Sequence, residues 1–453
     1  MGAIHRLAGP QAMNHALRPD DKPRPWPRAL GWLLFLGPFF FLSYGFANWL
    51  SGQRADVGSI VFDWERRIPF VAWTIVPYWL MDLFYGVSLF LCRNRRQLDT
   101  HAWRLLATQV LAVLCFIVWP LRCTFERGEV DGTFGWLFAA LGRFDQPFNQ
   151  APSLHIALLV VLLEPYLRAL PRRWHAVVWG MALLIGVSVL TTWQHQFFDI
   201  PTGLWLGAFV IWLLPSDDRS PLARAALSQR RKNWRLAGVY AAGALSVAAM
   251  ALGNGGAWLW LLWPAASLGL VASIYAVFDA TAFGKRADGT MPTAVRLLFA
   301  PYHFGAWLNS RAWTRRLPPA NTVVDGLAIA RLPSVGDMHR HSVTALVDLC
   351  AELPGPRGTW PRAVIPMFDL LPPTSGQLTQ AVAAIEQLRH TGTVWVCCAL
   401  GLSRSALAVA AWLLHSGRAD SVDRAVALVR AARPAVVIDD AAKERLRQWW
   451  QKR

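Results

Sequence analysis

The first 280 residues alternate long apolar runs with short polar stretches, and from Val323 onward the apolar runs shorten. A helix needs about 20 apolar residues to cross the hydrocarbon core of a bilayer. Runs at 29–50, 70–91, 105–121, 153–170, 176–193, 200–214, 236–252 and 258–278 predict eight spans, the sixth being the shortest. Gly253-Asn254-Gly255-Gly256 is a turn signal that makes the last two a hairpin. The segment 293–313 then mixes Leu297, Leu298, Phe299, Phe304, Trp307 and Trp313 with Arg296 and Arg311, and Arg315 and Arg316 follow. That mixture predicts a helix lying in the membrane interface, with a plain linker as the alternative.

Pro318-Pro319 opens a different texture. Short β-rich runs at 343–349, 363–366 and 393–397 alternate with helical patterns at 378–389, 405–415, 421–431 and 440–451. This predicts a soluble α/β domain. The expected organisation is a multi-span α-helical membrane domain followed by that soluble domain. Its parts are a cytoplasmic lead-in (1–28), a six-span membrane domain (29–215), two further spans (216–279), an interfacial linker (280–320) and the α/β domain (321–453).

Loop charges orient the spans. The lead-in carries Arg6, Arg18, Lys22, Arg24 and Arg28. Every second loop is basic: Arg93, Arg95, Arg96 and Arg104, then Arg168, Arg172 and Arg173, then Arg224, Arg230, Arg231, Lys232 and Arg235. The loops between them are mixed, acidic or free of Lys and Arg. Basic loops face the cytoplasm, so both termini are expected there. The expected location is a bacterial inner membrane with the α/β domain in the cytoplasm.

Composition agrees with a lipid partner. The chain is 54% hydrophobic, contains 25 Trp and has a mean hydropathy of +0.30. Trp gathers at membrane interfaces. The net charge of +17 sits in short loops with no nucleic-acid motif, so no nucleic-acid partner is expected. Cys92, Cys115, Cys123, Cys350, Cys397 and Cys398 show neither zinc spacing nor a disulfide framework. No metal or cofactor is expected. The N-terminus shows no removable signal peptide.

The run from Val394 to Ser405 is the sharpest chemical signal. An apolar strand feeds a loop, Cys398-Ala399-Leu400-Gly401-Leu402-Ser403-Arg404, which feeds a helix. Backbone N–H groups of Ala399, Leu400, Gly401, Leu402 and Ser403, with the helix N-terminus, can cradle a phosphate. The same field favours a thiolate at Cys398. Arg404 can grip two phosphate oxygens. Gly401 permits a turn that a side chain would obstruct, and Ser405 can hydrogen-bond the sulfur. The loop carries no charge of its own before Arg404, which favours a phosphoprotein or a singly phosphorylated substrate. Cys350 reads as a core residue.

These residues resemble the dual-specificity branch of the protein tyrosine phosphatase superfamily, whose pattern is His-Cys-x-x-Gly-x-x-Arg-Ser/Thr. Cys397 stands where that family has His. The resemblance covers roughly 321–447 and includes Asp325-Gly326-Leu327 and Arg433-Pro434. It implies hydrolysis of a phosphomonoester through a phosphocysteine. It also implies an acid about 30 residues upstream, a place that Asp369 fills.

A second set of polar residues falls at span ends. Pro152, Ser153 and His155 lie at the start of the fourth span, Ser188 lies within the fifth, and His195 and Asp199 lie between the fifth and sixth. Ionisable residues at membrane depth are costly and usually functional. The set resembles the type 2 phosphatidic acid phosphatase superfamily, with Pro-Ser-x-His and a later His-x3-Asp. That resemblance implies His195 as a phosphorylated nucleophile, Asp199 as its orienting group, His155 as the acid and Ser153 as a phosphate contact. Val189 stands where the family has Arg, and Arg122 and Arg127 are the candidate substitutes. Thr191, Gln194, His195 and Asp199 are similar to the inositol-phosphorylceramide-synthase-like branch, which transfers a head group. Hydrolysis and transfer both stay open, with the cysteine domain as an enzyme, a regulator or a non-catalytic sensor of phosphorylated ligands.

Overall fold

Apolar runs without an opposing polar face dominate the first half of the chain, and each folds as a helix in the computed structural model. The structure describes residues 24–216 and 220–452. Arg6, Arg18 and Lys22 of the lead-in lie outside the described residues. Seven helices come first: α1 (Trp26–Gly52), α2 (Ile75–Phe90), α3 (Arg95–Val118), α4 (Gly132–Gly142), α5 (Leu154–Ala169), α6 (His175–Thr191) and α7 (Asp199–Leu213). Then come α8 (Arg231–Asn254), α9 (Leu262–Ala276), α10 (Thr293–Leu298) and α11 (Ala300–Thr314). The chain divides into two compact units, 1–207 and 208–453.

Among the described residues, five helical stretches are long and apolar enough to cross a membrane: Trp26–Gly52, Arg95–Val118, Arg172–Thr191, Arg231–Asn254 and Gly256–Ala276. The other three expected spans are helices of 16, 16 and 15 residues, namely α2, α5 and α7. At about 1.5 Å per residue these reach roughly 24 Å, less than the roughly 30 Å hydrocarbon core. Polar residues open two of them. Asp199 opens α7, and the Ser153 hydroxyl accepts from Ile156 N–H at the start of α5. The helix α4 was not expected.

In the first unit a close helix crossing sets the geometry. Gly203 and Gly207 lie four apart on α7, facing α5. A Cβ at Gly203 would fall 2.6 Å from Ser153 O, and one at Gly207 would fall 2.7 Å from Ala157 O. Small residues at this spacing let two backbones approach. The approach brings the start of α5 against the start of α7, where Ser153 N–H donates to Asp199 O at 3.0 Å.

The second unit joins the α8–α9 hairpin to an α/β sandwich. Its strands are β1 (Ala320–Val324), β2 (Leu327–Arg331), β3 (Ala345–Cys350), β4 (Arg362–Met367) and β5 (Val394–Cys398). The sheet order is β1-β2-β5-β3-β4, with β1 antiparallel to β2 and the remaining pairs parallel. The helices α12 (Val335–Arg340), α13 (Ser375–Arg389), α14 (Arg404–His415), α15 (Val422–Ala432) and α16 (Asp440–Gln451) complete it. Central β5 is buried at all five positions, as a parallel strand covered on both faces must be. Side chains alternate along a strand. Val394, Val396 and Cys398 therefore join the core with α13 to α16, while Trp395 and Cys397 join the opposite core with Met338 and Leu346.

Three sequence expectations change here. Strands β1 and β2 were not expected. Residues 293–313 form two helices rather than one, with a break at Phe299 before Pro301. The second of them, α11, also docks on the sheet unit, since Ser310 Oγ donates to Ala399 O at 2.6 Å.

Candidate active sites

The alternation that buries Cys398 ends the strand at that residue, and the chain turns before α14 begins at Arg404. Gly401 makes the turn at φ +72°, and a Cβ there would sit 2.5 Å from Ala330 C and Arg331 N. Only glycine fits both the backbone angle and the space. Gly401 N–H donates to Cys398 Sγ at 3.3 Å, and Ser405 Oγ lies 3.4 Å from the same sulfur. Burial pushes the thiol up, but Arg404 and the Ser405 hydrogen bonds outweigh it and hold Cys398 below the usual thiol range. Burial sends its neighbour Cys397 well above that range. Within the pair, Arg404 and Ser405 favour the charged form of Cys398, and burial opposes it at Cys397.

The rest of the loop is held from outside. Ala399 O accepts from Ser310, and Leu402 O accepts from Val437 N–H at 2.8 Å. Leu400 is half-buried and packs against the Trp395 and Cys397 core. Ser403 is the residue before α14 and accepts from Leu407 N–H at 2.9 Å.

Arg404 is buried and paired by both terminal nitrogens. Nη1 donates to Glu352 Oε2 at 2.8 Å and to Met367 O at 2.9 Å, and Nη2 donates to Glu352 Oε1 at 2.6 Å. Asp369 Oδ1 lies 3.0 Å from Nη2. Nε has no hydrogen-bond partner among the described residues, so one donor remains for an oxyanion. Burial, reinforced by Glu352 and opposed by Arg404, raises the Asp369 carboxyl above its ordinary value. Phe368 stacks on Tyr275 of α9 at 4.7 Å, and Tyr275 OH donates to Asp369 O at 3.2 Å. The expected nucleophile, arginine, serine and acid therefore converge. Arg433, also expected, is buried behind them and donates to Pro318 O and Asn321 Oδ1.

Sequence reasoning missed two residues. Glu352 follows an apolar strand, and an acid buried there needs a cation. Lys285, beyond the end of α9, has a fully buried side chain. It pairs with Asp348 at 2.5 Å and donates to Cys350 O at 2.8 Å. The signal was the same in both cases: an acid, Asp348 or Glu352, in or beside an otherwise apolar run.

In the first unit, His195 Nδ1 lies 3.1 Å from Asp199 Oδ2, and Ser153 Oγ lies 3.5 Å from His195 Nε2. The His155 and His195 ring centroids are 6.1 Å apart. His155 stacks on Tyr78, whose hydroxyl donates to Asp145 at 3.1 Å, as Tyr44 does at 2.6 Å. A cavity of about 380 Å³ touches Tyr44, Tyr78, Asp145 and His155. Arg122 is exposed, and Arg127 lies over the Phe138 ring, 4.6 Å from its centroid. Among the described residues, no hydrogen bond or ion pair joins either arginine to His155, His195 or Asp199. Ser188 donates back to Ile185 O and Thr191 to Thr74 Oγ1, so neither hydroxyl is directed to His195.

The family described as dual specificity phosphatase, catalytic domain, matches residues 336–452. A solved mouse dual specificity phosphatase complexed with zinc tungstate is 29% identical, covering 30% of this chain and 88% of its own, with a TM-score of 0.28. Human DUSP28 is 25% identical over 30% of this chain and 95% of its own, with a TM-score of 0.27. Tk-PTP in its active form is 25% identical over 30% of this chain and 99% of its own, also at 0.27. No curated protein matches the sequence. The C-terminal segment is a dual-specificity-type phosphatase catalytic domain, and its substrate is a phosphorylated molecule.

Proposed function

We propose that this chain is a membrane-bound phosphatase whose cytoplasmic domain cleaves phosphomonoesters through Cys398. The observation that carries the reading is the convergence on one sulfur of Gly401 N–H, the Ser405 hydroxyl and the positive field of Arg404. The thiolate attacks phosphorus in line with the leaving oxygen. The S–P bond forms as the P–O bond breaks, and Asp369 gives its proton to the departing oxygen. Arg404, held by Glu352, and the loop N–H groups carry the charge on the phosphoryl oxygens. Water then attacks phosphorus, Asp369 takes its proton, and the sulfur leaves beside Ser405.

The test uses the full chain carrying His195→Ala, so that only the cysteine site is read. Adding Cys398→Ser should abolish phosphate release from an aryl phosphate while orthovanadate still binds. Undiminished release would reject Cys398 as nucleophile. Binding without any turnover in the parent would favour a sensor.

A second reading concerns the first unit, supported by the His195 and Asp199 contact beside Ser153 and His155. His195 would take a phosphoryl group from a lipid phosphate, with Asp199 orienting the ring. Water as acceptor makes the site a hydrolase, and a lipid hydroxyl makes it a head-group transferase. The alternation of basic loops supports a non-cytoplasmic placement of this site.

A further inference from the structure

We infer that the cysteine site acts on a phosphomonoester carried by a membrane lipid, admitted along a groove between the α8–α9 hairpin and α11. This rests on the phosphatase reading above and names the substrate class of that site. A cavity of about 340 Å³ is lined by Tyr240, Leu268, Tyr302 and Gly305 on the helical side. Asp369, Glu352, Ala399 and Leu400 line its other side. One continuous space therefore joins the general acid and the phosphate loop to two helices long and apolar enough to cross a membrane.

The position of that space decides the substrate. The N-terminal end of α8 and the C-terminal end of α9 form the same end of the hairpin. Tyr240 lies nine residues in from Arg231, about 13 Å along the axis, and Leu268 lies eight residues before Ala276, about 12 Å. The groove thus meets the hairpin about 12–13 Å from its basic end, among residues of two helices apolar enough to span a membrane. Arg231, Lys232 and Arg235 mark the same end, which suits an anionic head group. On α11, Phe304, Trp307, Leu308 and Trp313 are exposed, the aromatic pattern of a membrane interface.

The groove walls match an acyl glycerol better than a peptide. Tyr240 stacks on Tyr275 and meets Tyr302 edge to face, so its lining is aromatic with hydroxyls near the acid loop. The phosphate loop contributes only Ala399 and Leu400 to the shared wall, and neither carries charge. A single phosphate on an apolar body satisfies both features. The acid loop is itself tied to the hairpin through Tyr275 and Asp369 O.

The experiment uses full-length protein carrying His195→Ala in phosphatidylcholine vesicles. Three substrates are compared: phosphatidic acid in the vesicle, a phosphotyrosine peptide, and a soluble aryl phosphate. Phosphatidic acid should be hydrolysed with at least tenfold higher kcat/KM than the peptide, and Cys398→Ser should remove that activity. Gly305→Leu tests the route, because a Cβ at Gly305 meets nothing within 4 Å and so can extend into the groove. It should lower lipid turnover at least tenfold relative to aryl phosphate turnover, and Leu268→Trp should do the same from the facing helix. A preference for the peptide, or equal losses on lipid and aryl phosphate in both variants, would overturn the inference. If the parent turns over no aryl phosphate, the phosphatase reading itself fails, and this inference with it.

Discussion

Glu352 grips the Arg404 guanidinium through two parallel contacts of 2.8 and 2.6 Å, with both side chains almost completely buried. Arg404 holds Glu352 below its ordinary value against the opposing effect of burial. A buried arginine placed for phosphate needs such a partner when no phosphate is bound. Removing one member of a buried pair costs about 3–5 kcal/mol, because the other is left charged and alone. Glu352→Ala should therefore destabilise the full chain by that amount in denaturant unfolding. Glu352→Gln keeps the shape and one acceptor. It should retain most of the stability while weakening orthovanadate binding at least tenfold, since Arg404 loses its fixed orientation. Unchanged binding in Glu352→Gln would reduce Glu352 to a stability element.

Catalysis by the cysteine site should show a bell-shaped dependence of kcat/KM on pH. The thiolate is the reactive form of Cys398, so the rate rises with pH through that group's depressed pKa. The protonated form of Asp369 is the reactive acid, so the rate falls with pH through its raised pKa. Asp369→Asn removes the proton donor. It should erase the falling limb and slow an alkyl phosphate far more than an activated aryl phosphate. A falling limb that survives the substitution assigns it to another group.

Gly401→Ala tests the turn. The backbone sits at φ +72°, and the added methyl would meet Ala330 and Arg331 backbone at 2.5 Å. Strain and overpacking together cost about 2–4 kcal/mol. The loop can relieve that only by opening, which takes N–H groups away from the phosphate. Turnover of an aryl phosphate should fall at least a hundredfold in steady-state assays, with orthovanadate binding lost alongside it.

Much of this was legible in the sequence for local reasons. The apolar strand, the Cys-to-Arg loop and the following helix are contiguous, so their chemistry could be read from adjacent letters. The helices α13 to α16 fall within three residues of their expected bounds, because a helical pattern of apolar positions is local. What escaped were partners far apart in sequence. Glu352 with Arg404 and Lys285 with Asp348 are pairings across the fold, and a single sequence does not say which cation a buried acid will meet. Strand β1 is a partly exposed edge strand directly after the proline pair, and β2 is a five-residue run that follows it at once, so neither stands out as a separate apolar run. An apolar run does not fix helix length, and α2, α5 and α7 fold as helices of 16, 16 and 15 residues.

The histidine group in the first unit makes the last prediction. Asp199 lies 3.1 Å from His195 Nδ1, and Ser153 Oγ lies 3.5 Å from Nε2, so Nε2 is the nitrogen that the proposed phosphoryl transfer would use. Gly203 and Gly207 bring α5 and α7 close enough to hold that arrangement. In a chain carrying Cys398→Ser, phosphatidic acid should leave an acid-labile, base-stable phosphoryl group on His195, detectable on purified protein. His195→Ala should abolish the label, and Asp199→Asn should lower its rate of formation at least a hundredfold, because the ring loses its fixed tautomer. Gly203→Val is the structural control: it should separate the helices and lose the label without touching either ring atom. His155 sits 6.1 Å from His195, centroid to centroid, and is the acid in the proposed transfer. His155→Ala should therefore slow labelling by an alkyl phosphate more than by an aryl phosphate. Absence of any label from phosphatidic acid, a lipid pyrophosphate or a phosphodiester would leave this unit as the membrane anchor of the cysteine phosphatase.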